Sequence, residues 1–528
     1  MLARAHAFTI DGLQTRHVSV EVDVRPGLPG FAIVGLADAA VREARERVTA
    51  AIQNAGFQFP ARRIIANLAP GDVRKAGSGL DLALACALLA AAGQLPAEQL
   101  ERVALFGELA LDGAVRPSRG ALAVAHAAHR AGMRALALAP ACAHEARLIE
   151  GLDVRAVAHL RSTARVLGGG AEDSREEQRA DTARERARST RQLAGVPAGI
   201  VQRSDAYGHQ LDLRDVRGQH HAVRAIVIAA AGAHNMLLSG PPGTGKTMLA
   251  QRIASILPAL SSDEAVEVTR IHSLAGARVD ALASVRPFRA PHHSITAAGL
   301  VGGASRGSIG EVVLAHNGVL FLDELSEFSR STLEALRQPL EDGRIAISRA
   351  GHSAVYPARF MLVAATNPCP CGFAGDGDRC HCGEAEKARH RRRLSGPLLD
   401  RIDLLSALQR ELTGDLLEAP LMSSAEAREQ VALARARQTA RLADDGVAVN
   451  AQMDGHMLRR HARLDEHGQE MLRSATRRGM LSARGEHRVL RVARTIADLD
   501  ASGRVRACDL GAALALRPEP SLAGNRVA

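Results

Sequence analysis

One stretch limits what this chain can fold into: Gly240-Pro-Pro-Gly-Thr-Gly-Lys-Thr247. It meets the pattern G-x-x-x-x-G-K-[ST] without departure. It follows an apolar run, Asn235-Met-Leu-Leu-Ser239, that reads as a short buried strand, and it precedes residues 248–254, which have helical spacing. Strand, glycine loop and helix in that order form a cradle for nucleotide phosphates. Gly243 and Gly245 let backbone N–H groups close around phosphate oxygens with no Cβ in the way, and the helix N-terminus adds its partial positive charge. Lys246 is placed to reach the β- and γ-phosphates, and Thr247 offers a hydroxyl to Mg²⁺. Gly240, Pro241, Pro242, Gly243, Thr244, Gly245, Lys246 and Thr247 are therefore the candidate nucleotide contacts, with ATP and Mg²⁺ as the implied cofactors.

A second half-site lies downstream in Gly318-Val-Leu-Phe-Leu-Asp-Glu324. Four apolar residues ending in Asp-Glu read as a buried strand that delivers two carboxylates at its C-terminal end. Asp323 would hold Mg²⁺ through water and Glu324 would polarise the attacking water, which makes hydrolysis of ATP the expected reaction.

The 528 residues suggest roughly three domains. Lys and Arg exceed Asp and Glu by 67 to 57, a balance of +10 that suits a polyanionic partner. With ten Phe, two Tyr and no Trp, stacking platforms for bases are scarce, so any nucleic-acid contact must lean on Arg and Lys against phosphates. Residues 1–12 show no charged-then-apolar leader, and the most apolar run, 82–92, is about half the length needed to span a bilayer. A soluble cytoplasmic protein without a membrane partner is expected.

Residues 1–167 alternate strand-like and helical patterns. Strands are expected at Val18-Ser-Val-Glu-Val-Asp-Val24, 63–68, 103–111 and 135–139, and helices at 40–56, 80–92 and 120–132, an α/β domain. Residues 168–208 open on three glycines and carry mixed charge with few apolar residues, a flexible linker. Residues 209–407 hold the ATPase core, 408–516 read as a helical lid, and 517–528 as a tail.

Cys369, Cys371, Cys380 and Cys382 form C-x-C, eight residues, C-x-C. In a reducing compartment such a cluster is more often a ligand set than a pair of disulfides, and a structural Zn²⁺ is expected. Reduced thiols without metal are the alternative, and His381 could replace one ligand.

These residues together resemble the ComM/YifB family, Mg-chelatase-like AAA+ ATPases. The resemblance rests on Leu28-Pro-Gly-Phe-Ala-Ile-Val-Gly-Leu36, Asp215-Val-Arg-Gly-Gln219, the P-loop, Arg286-Pro-Phe-Arg-Ala-Pro-His-His293, Ala315-His-Asn-Gly-Val-Leu-Phe-Leu-Asp-Glu-Leu325 and Leu394-Ser-Gly-Pro-Leu-Leu-Asp-Arg-Ile-Asp403. It implies a P-loop AAA+ core with a parallel sheet, an all-α lid, a hexameric ring, and work on DNA in recombination or natural transformation, of the branch-migration or helicase type. It also implies that Asn367 is sensor 1, Arg401 an arginine finger given to the neighbouring subunit, and Arg484 sensor 2, with Arg488 its rival. Two segments resemble pore loops: 286–310 with Arg286, Arg289 and Arg306, and a hairpin around Ala350-Gly351 with Arg344 and Arg349. These are the candidate DNA contacts, although both segments also read as ordinary surface loops. The basic run from Lys387 to Arg393 is a third candidate or a solvated helix face. The N-terminal domain resembles the Lon protease domain in topology and in Leu105-Phe-Gly-Glu-Leu-Ala-Leu-Asp-Gly-Ala-Val115. Ser78 sits near the nucleophile position, but Leu122 stands where a Lys base is needed, so a non-proteolytic relative is expected. The competing function is a chelatase-type motor that drives metal insertion or remodels a protein partner.

Overall fold

A computed structural model describes residues 1–36, 38–72, 75, 77–167, 211–277, 279–303, 309–349, 352–374, 379–394, 396–410 and 419–517. The expected linker, the tail beyond residue 517, and Arg306 lie outside the described residues. The chain divides into two units. The first is built from described residues of 1–202 together with Thr269–Leu282, and the second from the remainder. Thr269–Leu282, expected within the ATPase core, groups with the first unit because Arg270 Nη2 donates to the Leu13 carbonyl at 2.6 Å and Ser273 Oγ donates to Glu145.

The first unit carries β1 (Leu2–Asp11), β2 (Gln14–Arg25), β3 (Gly30–Val34), β4 (Arg63–Ala69), β5 (Val103–Phe106), β6 (Glu108–Leu109), β7 (Val115–Arg116), β8 (Ala135–Leu138) and β9 (Asp153–Ala156). Seven of them form a mixed sheet in the order β3-β4-β2-β1-β5-β8-β9. Val18, Val20, Val22 and Val24 of β2 are buried, the period-two face of a strand covered on one side. The helix Asp81–Ala91 is buried at every residue, so its apolar character runs all round. Its Asp81 carboxylate accepts from Arg47 Nε at 2.7 Å and Nη2 at 3.0 Å, the pairing a buried charge requires. The run 103–111, expected as one strand, breaks at Gly107. A Cβ there would stand 2.6 Å from Val115 Cγ1, and the Gly107 N–H turns away to the Gly79 carbonyl at 3.0 Å.

The second unit holds β10 (Met236–Ser239), β11 (Phe288–Arg289), β12 (Val319–Leu322), β13 (Arg344–Arg349), β14 (His352–Pro357), β15 (Met361–Thr366) and β16 (Leu404–Ala407). Five are parallel in the order β11-β12-β15-β10-β16, and β13 pairs with β14 as an antiparallel hairpin. Every residue of β12 and β15 is buried. A parallel sheet covered on both faces needs such unbroken apolar runs. The C-terminal segment contributes the helices Ser424–Leu442, Gly455–His461, Glu466–Arg477, Ala483–Leu499 and Ala507–Ala515. Ser423, Asp454, Asp465 and Ser482 cap the first four, each side chain accepting from a first-turn N–H. Among the described residues, no helix is long and apolar enough to cross a membrane.

Candidate active site

The C-terminal ends of β10, β12 and β15 lie side by side, and in open parallel sheets ligands gather at that edge. The P-loop leaves β10 there and enters the helix Lys246–Ile256. Gly243 and Gly245 have φ of +81° and +82°, left-handed conformations that a side chain resists. Lys246 Nζ donates to the carbonyls of Gly240 (2.7 Å) and Pro241 (2.8 Å) and to Asn367 Oδ1 (3.1 Å). Burial lowers its pKa, while the carboxylates of Asp323 and Glu324 oppose that fall. Thr247 Oγ1 donates to Asp323 Oδ2 at 2.7 Å, so the two candidate Mg²⁺ groups are already together.

Glu324 follows β12 at φ +51°, a left-handed conformation that costs a non-glycine residue about 1–3 kcal/mol and is concentrated at functional sites. Its N–H donates to Asp323 Oδ1 at 3.0 Å, which holds the turn. His293 Nδ1 lies 3.5 Å from Glu324 Oε2. Nothing in the sequence alone assigns His293 a role; its one signal is its place at the end of Arg286-Pro-Phe-Arg-Ala-Pro-His-His293. Asn367 follows β15, and His390 Nε2 donates to its carbonyl at 2.9 Å.

The structure does not bring Arg401 to this cluster in the same chain. Its guanidinium pairs with Glu341 and is only 10% exposed. Burial lowers its pKa, and the nearby charges of Arg337, Arg484 and Arg488 lower it further. The two sensor 2 rivals differ. Arg488 Nη1 donates to the Leu399 carbonyl (3.3 Å) and the Ile402 carbonyl (3.1 Å), gripping the turn that carries Arg401, whereas Arg484 is exposed.

The sulfur atoms of Cys369, Cys371, Cys380 and Cys382 lie within 4.8 Å of one another, and His381 is exposed outside the group.

The candidate DNA contacts fall in different surroundings. Arg286 forms a two-pronged pair with Glu264 (3.1 and 2.8 Å) and donates to the carbonyls of Pro258 and Asn317 (2.8 Å each). Arg289 belongs to β11, the sheet's edge strand, and pairs with Glu311 at 2.6 and 2.9 Å. Both have their charge paired within the chain. Arg344 is exposed at the start of β13, and Arg349 ends that strand opposite His352. The run Lys387–Arg393 lies on the helix Glu384–Arg393, where Arg389, Arg392 and Arg393 join Arg330 around a cleft of about 620 Å³.

In the first unit, Ser78 Oγ donates to Glu108, and the buried Lys75 donates to the Pro70 carbonyl, so this lysine and this serine each have another partner. Leu122 is fully buried. Full-length protein is therefore expected to cleave neither casein nor fluorogenic peptides. Cleavage that vanishes in Ser78→Ala would overturn this.

Three family comparisons match. Residues 20–141 match the family described as subunit ChlI of Mg-chelatase, residues 212–416 that of magnesium chelatase, subunit ChlI, and residues 421–517 its C-terminal part. The chain is 44% identical over 519 residues to an uncharacterized Mycobacterium tuberculosis protein, covering 98% of each chain. It is 42% identical over 504 residues to the uncharacterized protein YifB of Escherichia coli (95% of this chain, 94% of that one). It is 40% identical over 517 residues to competence protein ComM of Haemophilus influenzae (96% and 95%).

Proposed function

The chain belongs to the Mg-chelatase-like ComM/YifB family of AAA+ proteins, and from that premise we propose that it is an ATP-hydrolysing ring motor acting on DNA, of the branch-migration or helicase type. The observation that carries the ATPase half is the meeting of Lys246, Asn367, Thr247 and Asp323 at one edge of the parallel sheet. In this reading Lys246 leaves the loop carbonyls for the β/γ-phosphate oxygens. Thr247 and Asp323 hold Mg²⁺, which neutralises charge developing on the phosphates. Glu324 takes the proton of the attacking water, His293 steadies its carboxylate, and Asn367 orients that water. In this reading Arg401, released from Glu341, and Arg484, whose charge lies close to it, serve the site of the next subunit in a ring, taken as a hexamer. A structural Zn²⁺ on the four cysteines completes the cofactors, and the cytoplasm is the proposed location.

The DNA half is supported by the +10 balance and by the basic surfaces, and a place in competence by the likeness to competence protein ComM. With Arg286 and Arg289 paired internally, the contacts fall to Arg344 and Arg349 on the hairpin, to Arg306, and to the cleft of Arg330, Arg389, Arg392 and Arg393. Phosphate contact without stacking predicts weak sequence preference and steep salt dependence, with log K falling by roughly 0.7–0.9 per contact per log unit of salt. Arg344→Ala with Arg349→Ala should lower that slope by about one to two and reduce DNA-stimulated turnover. The deciding experiment compares ATPase stimulation by forked, four-way and plain duplex DNA. Absence of DNA binding at low salt by Glu324→Gln protein with ATP would end this reading. The family descriptions favour a second one, a chelatase-type motor acting on a tetrapyrrole-binding or other protein partner. Under it, DNA leaves ATP turnover unchanged.

A further inference from the structure

We infer that the four-cysteine metal site is a brace of the ATPase machinery, a Zn²⁺ thiolate centre that holds the sensor loop against the P-loop. The inference rests on the ATPase reading. Its first observation is the spacing of the sulfurs. Cys369 and Cys371 Sγ are each 3.8 Å from Cys380 Sγ, and 3.3 Å from each other. A disulfide would bring two sulfurs to about 2.05 Å. Four thiolates bound at about 2.3 Å to one tetrahedral Zn²⁺ stand about 3.8 Å apart along each edge. The cluster therefore has the size of a tetrahedral thiolate shell, and no pair of its cysteines is joined.

The second observation is what the cluster touches. Cys369 is two residues beyond Asn367, whose Oδ1 accepts from Lys246 Nζ at 3.1 Å. Gly372, next to Cys371, has φ +88°, and a Cβ on it would stand 2.8 Å from Pro242 Cδ and 3.9 Å from Asn367 Cγ. The backbone between the ligands thus packs directly on the P-loop. On the other side, Cys382 is followed by the helix Glu384–Arg393, whose buried His390 donates to the Asn367 carbonyl at 2.9 Å.

A metal joining Cys369 and Cys371 to Cys380 and Cys382 closes a ring of contacts. It runs from Lys246 to Asn367, from the Asn367 carbonyl to His390, along the helix to Cys382, and through the metal back to Cys371 and Pro242. Asn367 is held by its side chain and its backbone at once. Removing the metal frees the loop at the residue that orients the water, and misplacement on the order of 1 Å costs up to about a hundredfold in rate.

The test uses full-length protein purified without chelators. Elemental analysis should find one zinc per chain, and protein made with Co²⁺ should show intense thiolate-to-cobalt absorption. Cys380→Ser with Cys382→Ser should lose both signals and lower ATP turnover by about ten- to a hundredfold. Because that variant risks misfolding, Gly372→Ala is the second arm. It leaves all four thiols in place, should keep its zinc, and should still lower turnover by pressing on Pro242. Well under one zinc per wild-type chain overturns the site. A metal-free or Gly372→Ala protein with full turnover overturns the brace and leaves the ATPase reading standing. Zinc-loaded wild type without any ATPase activity overturns that reading and the brace with it.

Discussion

Replacing Arg401 with Ala should leave ATP binding intact and lower turnover by about three to five powers of ten, the range an arginine finger supplies. The side chain stands apart from Lys246 and Asp323 in its own chain and pairs with Glu341. Arg337, Arg484 and Arg488 surround it with like charge, an arrangement that favours a polyanion brought by another subunit. The Arg488 bonds to the Leu399 and Ile402 carbonyls hold the turn that carries Arg401. Mixing separates this role from a structural one. Arg401→Ala subunits keep a sound P-loop, and Lys246→Ala subunits keep a sound finger. In rings mixed randomly from equal amounts, with head-to-tail interfaces, about a quarter of the sites should pair the two sound halves and recover activity. Steady-state ATPase across mixing ratios reads this directly. Flat inactivity at every ratio, with mixed rings verified, would rule out action between subunits.

Glu324→Gln should bind ATP and hydrolyse it about a hundred- to ten-thousandfold more slowly, the span a positioned general base contributes. The carboxamide cannot take the proton of the water. Lys246, Thr247 and Asp323, which hold the nucleotide in this reading, are untouched. The strained turn at φ +51° aims this side chain, and His293 at 3.5 Å lies against its carboxylate. Single-turnover hydrolysis together with fluorescent-nucleotide binding distinguishes lost chemistry from lost affinity. Near wild-type turnover in the variant would move the base elsewhere, with His293 the first residue to examine.

Much of this architecture is legible from the residues alone, for local reasons. The P-loop is a backbone device, and its positive-φ glycines at 243 and 245 follow from residue type. The strands that deliver Asp323 and Asn367 read as unbroken apolar runs because a parallel strand covered on both faces has no polar side to show. β1 gives no strand signal in its first half, because alternating Ala3, Ala5 and Ala7 bury little surface and carry none of the β-branched bulk that marks a strand.

What a charged side chain meets in space is a different matter, because pairing is a long-range property. Arg286 and Arg289 look alike in sequence to any basic residue of a loop, yet each meets a glutamate 22 residues away in the chain and is largely covered by that pairing. Arg484 and Arg488 lie one helical turn apart and have equal standing as letters. Only the packing of the helix Ala483–Leu499 near the turn that carries Arg401 separates them. The cysteine spacing allowed a cluster, but its closeness to Pro242 and Asn367 depends on where β15 and the P-loop come to lie in the sheet. Residue chemistry and short-range periodicity were thus determined by the sequence itself. Which groups stand free, which are paired and which touch the nucleotide site was decided by the tertiary structure, because those outcomes depend on contacts between segments that no local pattern encodes.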